Sequence, residues 1–187
     1  MILYYLEMDN VTGKALLLSS ISKYFKNNPT KIHYLKEIIS GKSFISLRLI
    51  DWLLTHYAKN NNIQYWIDDD KNLIYKKLPN KIEYAAKLRK FNMHTDYRAQ
   101  LKSFSKMFFD PFRRHERIIY LLSDGSELET TIGQLNLFRW FFKNNIYEYI
   151  LENYSEIIKI MTSKNVVSNK NKKIETIIEE KRIVFFN

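Results

Sequence analysis

These 187 residues suffice for one folded domain, and their composition excludes several classes of protein. Hydrophobic residues make up 45% of the chain and aromatic residues 15%, more than a disordered chain carries. The absence of Cys excludes a disulfide framework, a Cys-ligated zinc site and a thiol nucleophile. A net charge of +10 favours an acidic partner over a basic one.

Three amphipathic segments predict a helical lobe over about residues 12–60. The first segment is expected to stop before Pro29, and Thr30 is expected to cap the second. Gly41 supplies the left-handed residue that commonly follows a helix. Ser46 is the expected N-cap of the third helix, in which apolar residues recur at helical spacing.

The next segment, "IQYWIDDDKNLIYKKL", predicts a β-hairpin over about residues 63–76, because two β-rich runs flank a polar turn. Its "DDD" at residues 68–70 could bind Mg²⁺, but a solvated turn is the favoured interpretation. The following stretch, "NKIEYAAKLRKFN", is predicted to be helical.

The segment "TDYRAQLKSFSKMFF" predicts a helix that Thr95 caps. Its aromatic and aliphatic residues share one face, which assigns Phe104 and Phe108 to the core. The dipeptide Asp110-Pro111 should end this helix, because Pro cannot continue it and disfavours helix in the residue before it.

The clearest local pattern is a second hairpin over residues 117–130, with its turn at Asp124-Gly125. A capping-box spacing from Thr131 to Gln134 then begins a helix that is apolar on most sides and therefore expected to be buried. The acidic segment "IYEYILENYSEIIKIM" predicts one more amphipathic helix.

The predicted fold class is therefore α+β, a mostly helical single compact domain with two β-hairpins. Residues 1–162 are assigned to this globular domain and residues 163–173, rich in Lys and Asn, to a polar linker. The pattern over residues 174–187 fits a helix and a strand equally well.

Positive charge is concentrated in one part of the chain. Much of the basicity can follow from the codon bias of an AT-rich genome, since the chain has 22 Lys, 23 Ile and 17 Asn. Such drift does not explain the distribution of Arg. Five of the eight Arg residues fall within residues 81–117. Arg offers planar, bidentate donors that suit phosphate.

Six of these cations are predicted to contact a polyanion, and we call them the basic ribbon. The basic ribbon consists of Arg98, Lys102, Lys106, Arg113, Arg114 and Arg117. Four further residues complete the candidate site: Lys87, Arg89, Lys90 and Phe112. Sets of Lys and Arg of this kind contact nucleic-acid phosphates, and an aromatic ring among them can stack on an unpaired base. The expected function is non-enzymatic nucleic-acid binding.

Two alternatives stay open. The arginines could dock an acidic protein partner, which would make the protein a structural or scaffold protein. They could also pair internally with the acidic helix. Its candidate partners are Glu148, Glu152 and Glu156.

Catalytic motifs are absent from the sequence. Its four His do not have metal-ligand spacing, and its four Gly are too far apart for a phosphate-binding loop. We therefore expect no cofactor, no metal and no catalytic residue. A metal-dependent nuclease is the enzyme class that the sequence disfavours least.

No apolar run approaches the ~20 residues that cross a bilayer, and the start "MILYYLEMDN" lacks the basic region of a signal peptide. The sequence alone thus predicts an intracellular protein that does not enter a membrane.

Three phrases resemble an uncharacterised conserved family of nucleocytoplasmic large DNA viruses, of the mimivirus and iridovirus sort. They are "SFISLRLIDWLLTHYAKNNNI", "YRAQLKSFSKMFFDPFRRHERI" and "ETTIGQLNLFRWFFKNNIYEYI". The resemblance implies a viral protein that acts in the host cytoplasm, in a viral factory, or in the virion. Genome packaging or late transcription would suit such a protein. Under the scaffold alternative, the resemblance implies a scaffold of the virion or of its transcription machinery. The resemblance supplies no catalytic residues.

Overall fold

A computed structural model describes residues 2–70, 73–79, 85–122 and 124–163. The chain divides into two units, Met1–Glu148 and Tyr149–Asn187. The first unit holds both sheets and most of the helices. The predicted linker and the segment 174–187 lie outside the described residues apart from residue 163, so the predicted domain boundaries stay a prediction.

The first part of the chain is helical, as predicted. Helix α1 (Ile2–Asn27) starts well before the predicted position, and α2 (Pro29–Ile39) follows after one residue. The third predicted helix is α3 (Leu47–Trp52), which runs through a π-helical segment (Leu53–Tyr57) into the short α4 (Ala58–Asn60).

Pro29 begins α2 instead of only ending α1. The N-cap is Asn28, so the prediction that Thr30 caps this helix is wrong. Pro is well suited to the first position of a helix, because the N–H it lacks would have no partner there. The Asn28 side chain instead donates to the Tyr24 carbonyl at 2.8 Å and closes the end of α1.

Two predicted helix boundaries are confirmed. Gly41 adopts φ +71° after α2, and the Lys42 N–H donates to the Glu37 carbonyl at 2.9 Å. This is the hydrogen bond of a Schellman motif. The Ser46 hydroxyl accepts the Leu49 N–H at 3.1 Å and caps α3.

The first sheet has three antiparallel strands rather than the two of a hairpin. Strands β1 (Gln64–Asp68) and β2 (Leu73–Tyr75) form the predicted pair, and β3 (Arg89–Asn92) joins the other edge of β1. The helix predicted for "NKIEYAAKLRKFN" is therefore wrong for residues 89–92. Phe91 lies opposite Tyr65, and both side chains are buried. Burial against β1 overrides local helix propensity.

Helix α5 (Met93–Phe108) follows β3 directly. Its N-cap is Asn92, whose side chain accepts the Thr95 N–H at 2.9 Å, so the prediction that Thr95 is the cap is wrong. Ser105 interrupts the helix with φ +57°. The helix ends before Asp110-Pro111, as predicted. Phe104 and Phe108, assigned to the core from the sequence, are half-buried.

The second hairpin is confirmed. Strands β4 (Arg117–Leu121) and β5 (Glu127–Thr131) pair antiparallel. Gly125 adopts φ +77° in the turn, and Asp124 Oδ1 accepts the Ser126 N–H at 2.9 Å and the Ser126 hydroxyl at 2.7 Å. These bonds close the Asp-Gly turn.

Helix α6 (Ile132–Lys143) is buried on almost every side and packs against α1 and α5. Thr131 caps it by accepting the Gln134 N–H at 3.1 Å, as the capping-box spacing predicts. Residues 146–148, which end the first unit, are helical, and the acidic segment predicts a helix there. Within the second unit, residues 149–163 are helical throughout.

The observed fold class is α+β, mostly helical with two small antiparallel sheets, which agrees with the prediction. Across the described ranges, no helix is both long and apolar enough to cross a bilayer.

Replacing Gly133 with Ala should destabilise the fold, because a Cβ there would lie 2.9 Å from the Met107 carbonyl oxygen, a backbone atom that cannot move alone. We expect a loss of about 1–3 kcal/mol in the free energy of unfolding, measured by urea denaturation. Gly13→Ala on α1 is the matched control. Nothing lies within 4 Å of its new Cβ, and the helix should gain up to about 1 kcal/mol. Equal effects of the two substitutions would contradict this account of the α5–α6 contact.

Candidate functional site

The basic ribbon follows α5, the turn after it and the start of β4. Arg98 and Lys102 lie on α5 before the interruption at Ser105, and Lys106 lies after it. All three are exposed. The interruption redirects the last turn of α5, so the ribbon does not follow one straight helix face.

Arg113, Arg114 and Arg117 line one cleft of about 370 Å³, which we call the arginine cleft. Its remaining walls come from Ile39, Leu47, Phe112, Glu129, Thr130 and Gln134. Arg117 donates to Glu129 Oε1 at 2.6 Å, but both side chains are more than half exposed. Exposed pairs of this kind contribute little stability, and one carboxylate leaves the cleft positively charged.

Arg113 and Arg114 are available to a partner. Within the described part of the chain, neither guanidinium has a carboxylate at ion-pair distance. Neighbouring acids are engaged elsewhere. Glu116, which adopts φ +56°, pairs with Lys14 of α1 at 3.3 Å.

The internal pairing proposed for the arginines does not form at Glu148. This carboxylate pairs with Lys31 of α2 instead. Glu152 and Glu156 belong to the second unit, so their part in that alternative stays a prediction.

The flanking cations have different surroundings. Arg89 on β3 donates to Asp69 at 3.1 and 3.3 Å and to Asn144 Oδ1 at 2.9 Å, which ties the β1 turn to the end of α6. Lys90 places its ammonium 5.9 Å from the centre of the Trp66 ring. Lys87 is exposed.

The acidic run at residues 68–70 begins with the buried Asp68 at the end of β1 and continues into a turn at residues 69 and 70. Asp68 Oδ1 accepts the Asp70 N–H at 3.1 Å, and Asp69 pairs with Arg89. Among the residues that the structure describes, no group of three or more His, Asp or Glu side chains is placed to hold a metal ion.

A second, larger cleft of about 660 Å³ was not predicted from the sequence. We call it the aspartate cleft because Asp51 and Asp110 both line it. Its other walls come from Thr55, Lys59, His94, Tyr97, Arg98, Leu101, Lys106, Phe109, Pro111 and Phe112. Two ribbon cations, Arg98 and Lys106, thus border a site that contains carboxylates.

The charge of Asp110 acts on the pKa of Asp51. Burial raises the pKa of Asp51, and the nearby charge of Asp110 raises it further, while His56 and Lys106 act in the opposite direction. The pKa of Tyr97 is raised by burial and then by the same two carboxylates. Perturbed groups that converge in a cleft mark a candidate binding site.

Phe112 connects the two clefts, because its side chain lines both of them. It is 43% exposed, although the loop that carries it is held in place. The Phe112 N–H donates to Asp110 Oδ1 at 2.8 Å, and the Gln134 side chain donates to the Pro111 carbonyl at 2.8 Å. An exposed aromatic ring on a fixed loop therefore forms a shared wall of the arginine cleft and the aspartate cleft.

The model of a family of unknown function, DUF7197, matches residues 9–183. The chain belongs to this family. An uncharacterized protein of Acanthamoeba polyphaga mimivirus, L507, is 32% identical over 162 residues, which cover 84% of this chain. The chain spans 56% of the length of that relative. No solved structure matches. The resemblance to an uncharacterised family of large DNA viruses is thus confirmed, and the DUF7197 match includes both clefts.

Asp51→Asn should stabilise this DUF7197 protein at neutral pH. A carboxyl whose pKa is raised by folding stabilises the fold at pH values below its ordinary pKa of 3.8. This contribution is lost as the pH rises through the raised pKa. The substitution removes a disfavoured charge, so the unfolding temperature at neutral pH should rise by on the order of 2 °C.

The gain in unfolding temperature of Asp51→Asn should shrink as the pH falls toward 3.8. Thermal unfolding at several pH values will measure this change. Asp124→Asn is the control, because hydrogen bonds from Ser126 lower the pKa of that carboxyl. It should give no gain at neutral pH. A loss of stability in Asp51→Asn at neutral pH would contradict the proposed electrostatics.

Proposed function

We propose that this chain is a non-enzymatic nucleic-acid-binding protein of a large DNA virus, and that the basic ribbon contacts phosphates. The observation that carries the proposal is the arginine cleft, in which three arginines lie together beside an exposed aromatic ring. Two of those arginines have no carboxylate partner among the described residues.

Guanidinium chemistry favours this assignment. Each guanidinium is planar and donates two parallel hydrogen bonds to a phosphate, and it stays charged at every physiological pH. Arg98, Lys102 and Lys106 extend the positive surface along α5, and all three are exposed. Contacts of this kind position a protein on nucleic acid without reading its sequence.

The proposed biological setting starts from the viral origin of the relative. The mimivirus relative comes from a large DNA virus, and we propose genome packaging or late transcription as the process served. Such a protein would act in the viral factory of the host cytoplasm or inside the virion.

A scaffold role is the second candidate, and one observation favours it. On the outer face of β4, Ile119 is 57% exposed and Leu121 is 67% exposed, on the strand that Arg117 begins. Exposed apolar side chains beside cations suit an acidic protein partner better than they suit phosphates.

Nucleic-acid binding by the full chain should weaken steeply with salt. If the six ribbon cations each neutralise one phosphate, the logarithm of the binding constant should fall with the logarithm of salt concentration with a slope of about −5 on duplex DNA. Fluorescence anisotropy at several salt concentrations between about 50 and 200 mM measures this slope.

The double substitution Arg113→Glu/Arg114→Glu should weaken binding and make the slope shallower by about 2. Lys23→Glu/Lys143→Glu is the matched control, because it removes the same charge from exposed positions outside the ribbon. Equal weakening by both pairs would show a general charge effect and not a site. Failure of the folded protein to bind any DNA or RNA would refute the proposal and favour the scaffold role.

A further inference from the structure

We infer that the aspartate cleft receives one unpaired nucleobase that carries an exocyclic amino group, with Phe112 stacked on its face. The inference rests on the proposed function and names the part of a nucleic acid that this site selects. It assigns a binding role to Asp51 and Asp110, which the basic ribbon does not include.

The position of Phe112 supports the stacking role. Its ring lines both clefts, with Arg98 and Lys106 on one side and Arg113 and Arg114 on the other. A strand whose phosphates follow these cations must pass the ring. Exposed aromatic rings inside a basic path are how single-stranded nucleic acids are held, because every base has a face that can stack.

The aspartate cleft has the size and lining of a site for a small planar group. Its volume of about 660 Å³ falls inside the usual range for ligand pockets. Leu101 and Phe112 supply apolar surface, while Asp51 and Asp110 supply acceptors. This mixture suits a base better than a phosphate, since a base has apolar faces and a polar edge.

The two carboxylates determine which base is favoured. An ionised carboxylate only accepts hydrogen bonds, and it repels phosphate. Cytosine, adenine and guanine present exocyclic amino donors, whereas thymine and uracil do not. The site should therefore prefer amino-bearing bases and keep the phosphates outside, on the side of the cations.

A duplex cannot occupy the site in this way. Its bases are stacked on both faces, and unpairing one of them costs energy before any contact with the protein is made. The predicted ligand is consequently a single strand, or a duplex with an unpaired residue.

Fluorescence anisotropy with three labelled probes tests the inference. The probes are oligo(dC) and oligo(dT) of about 20 nucleotides and a mixed-sequence duplex of about the same length, each measured on the full chain at neutral pH and one salt concentration. The variants are Phe112→Leu and Asp51→Asn. Phe44→Leu serves as the matched control, because Phe44 is also exposed and lines neither cleft.

Oligo(dC) is expected to bind tighter than oligo(dT) and tighter than the duplex, by roughly 5- to 150-fold. Phe112→Leu should reduce single-strand binding by a factor in roughly the same range and reduce duplex binding by a smaller factor. Asp51→Asn should shrink the difference between oligo(dC) and oligo(dT), because an amide both donates and accepts.

Equal binding of oligo(dC) and oligo(dT) by the native protein would overturn the inference, as would equal effects of Phe112→Leu and Phe44→Leu. Binding of all three probes with equal affinity would leave the proposed function standing and remove only the inference. Absence of binding to every probe would overturn the inference, and failure to bind RNA as well would refute the proposed function itself.

Discussion

Two buried amides of α6 hold the turn on which both clefts depend. The Gln134 side chain donates to the Pro111 carbonyl at 2.8 Å, and the Asn136 side chain donates to the Phe108 carbonyl at 2.9 Å. Both amides are buried, where an unpaired polar group would be costly. The backbone from residue 108 to 111 therefore has little conformational freedom. This constraint fixes the position of the exposed Phe112 between the clefts.

Local features of the fold could be predicted from the sequence because the residues that form each cap or turn lie within a few positions of one another. Ser46 and Thr131 cap helices by accepting an N–H three residues ahead, and Gly41 and Gly125 adopt the positive φ that their turns require. The second hairpin was predictable for the same reason. The wrong cap predictions at Thr30 and Thr95 also have a local cause. Asn28, two residues before Thr30, and Asn92, three residues before Thr95, occupy the N-cap positions.

The strand β3 and the aspartate cleft could not be predicted, because each depends on residues far apart in the chain. Phe91 is buried through pairing with β1, which no helical or strand period within "KLRKFN" reveals. Asp51 is a single acid in the apolar run "RLIDWLL", an ordinary helix pattern by itself. Only the fold brings Asp110 close enough to change its pKa. The arginine cluster could be seen in the sequence because charge clustering needs no tertiary information, and three of these arginines line one cleft; their role as a binding site stays a prediction.

The π-helical segment determines which ring nitrogen of His94 carries hydrogen. The Ala58 N–H donates to the carbonyl of Leu53, five residues back, instead of to that of Leu54. The Leu54 carbonyl contacts His94 Nδ1 at 3.1 Å, and since a carbonyl only accepts, Nδ1 must be the donor. A neutral His94 is thereby restricted to one tautomer, with Nε2 as its acceptor. One extra residue in a helix thus sets the hydrogen-bonding polarity of an imidazole in the wall of the aspartate cleft.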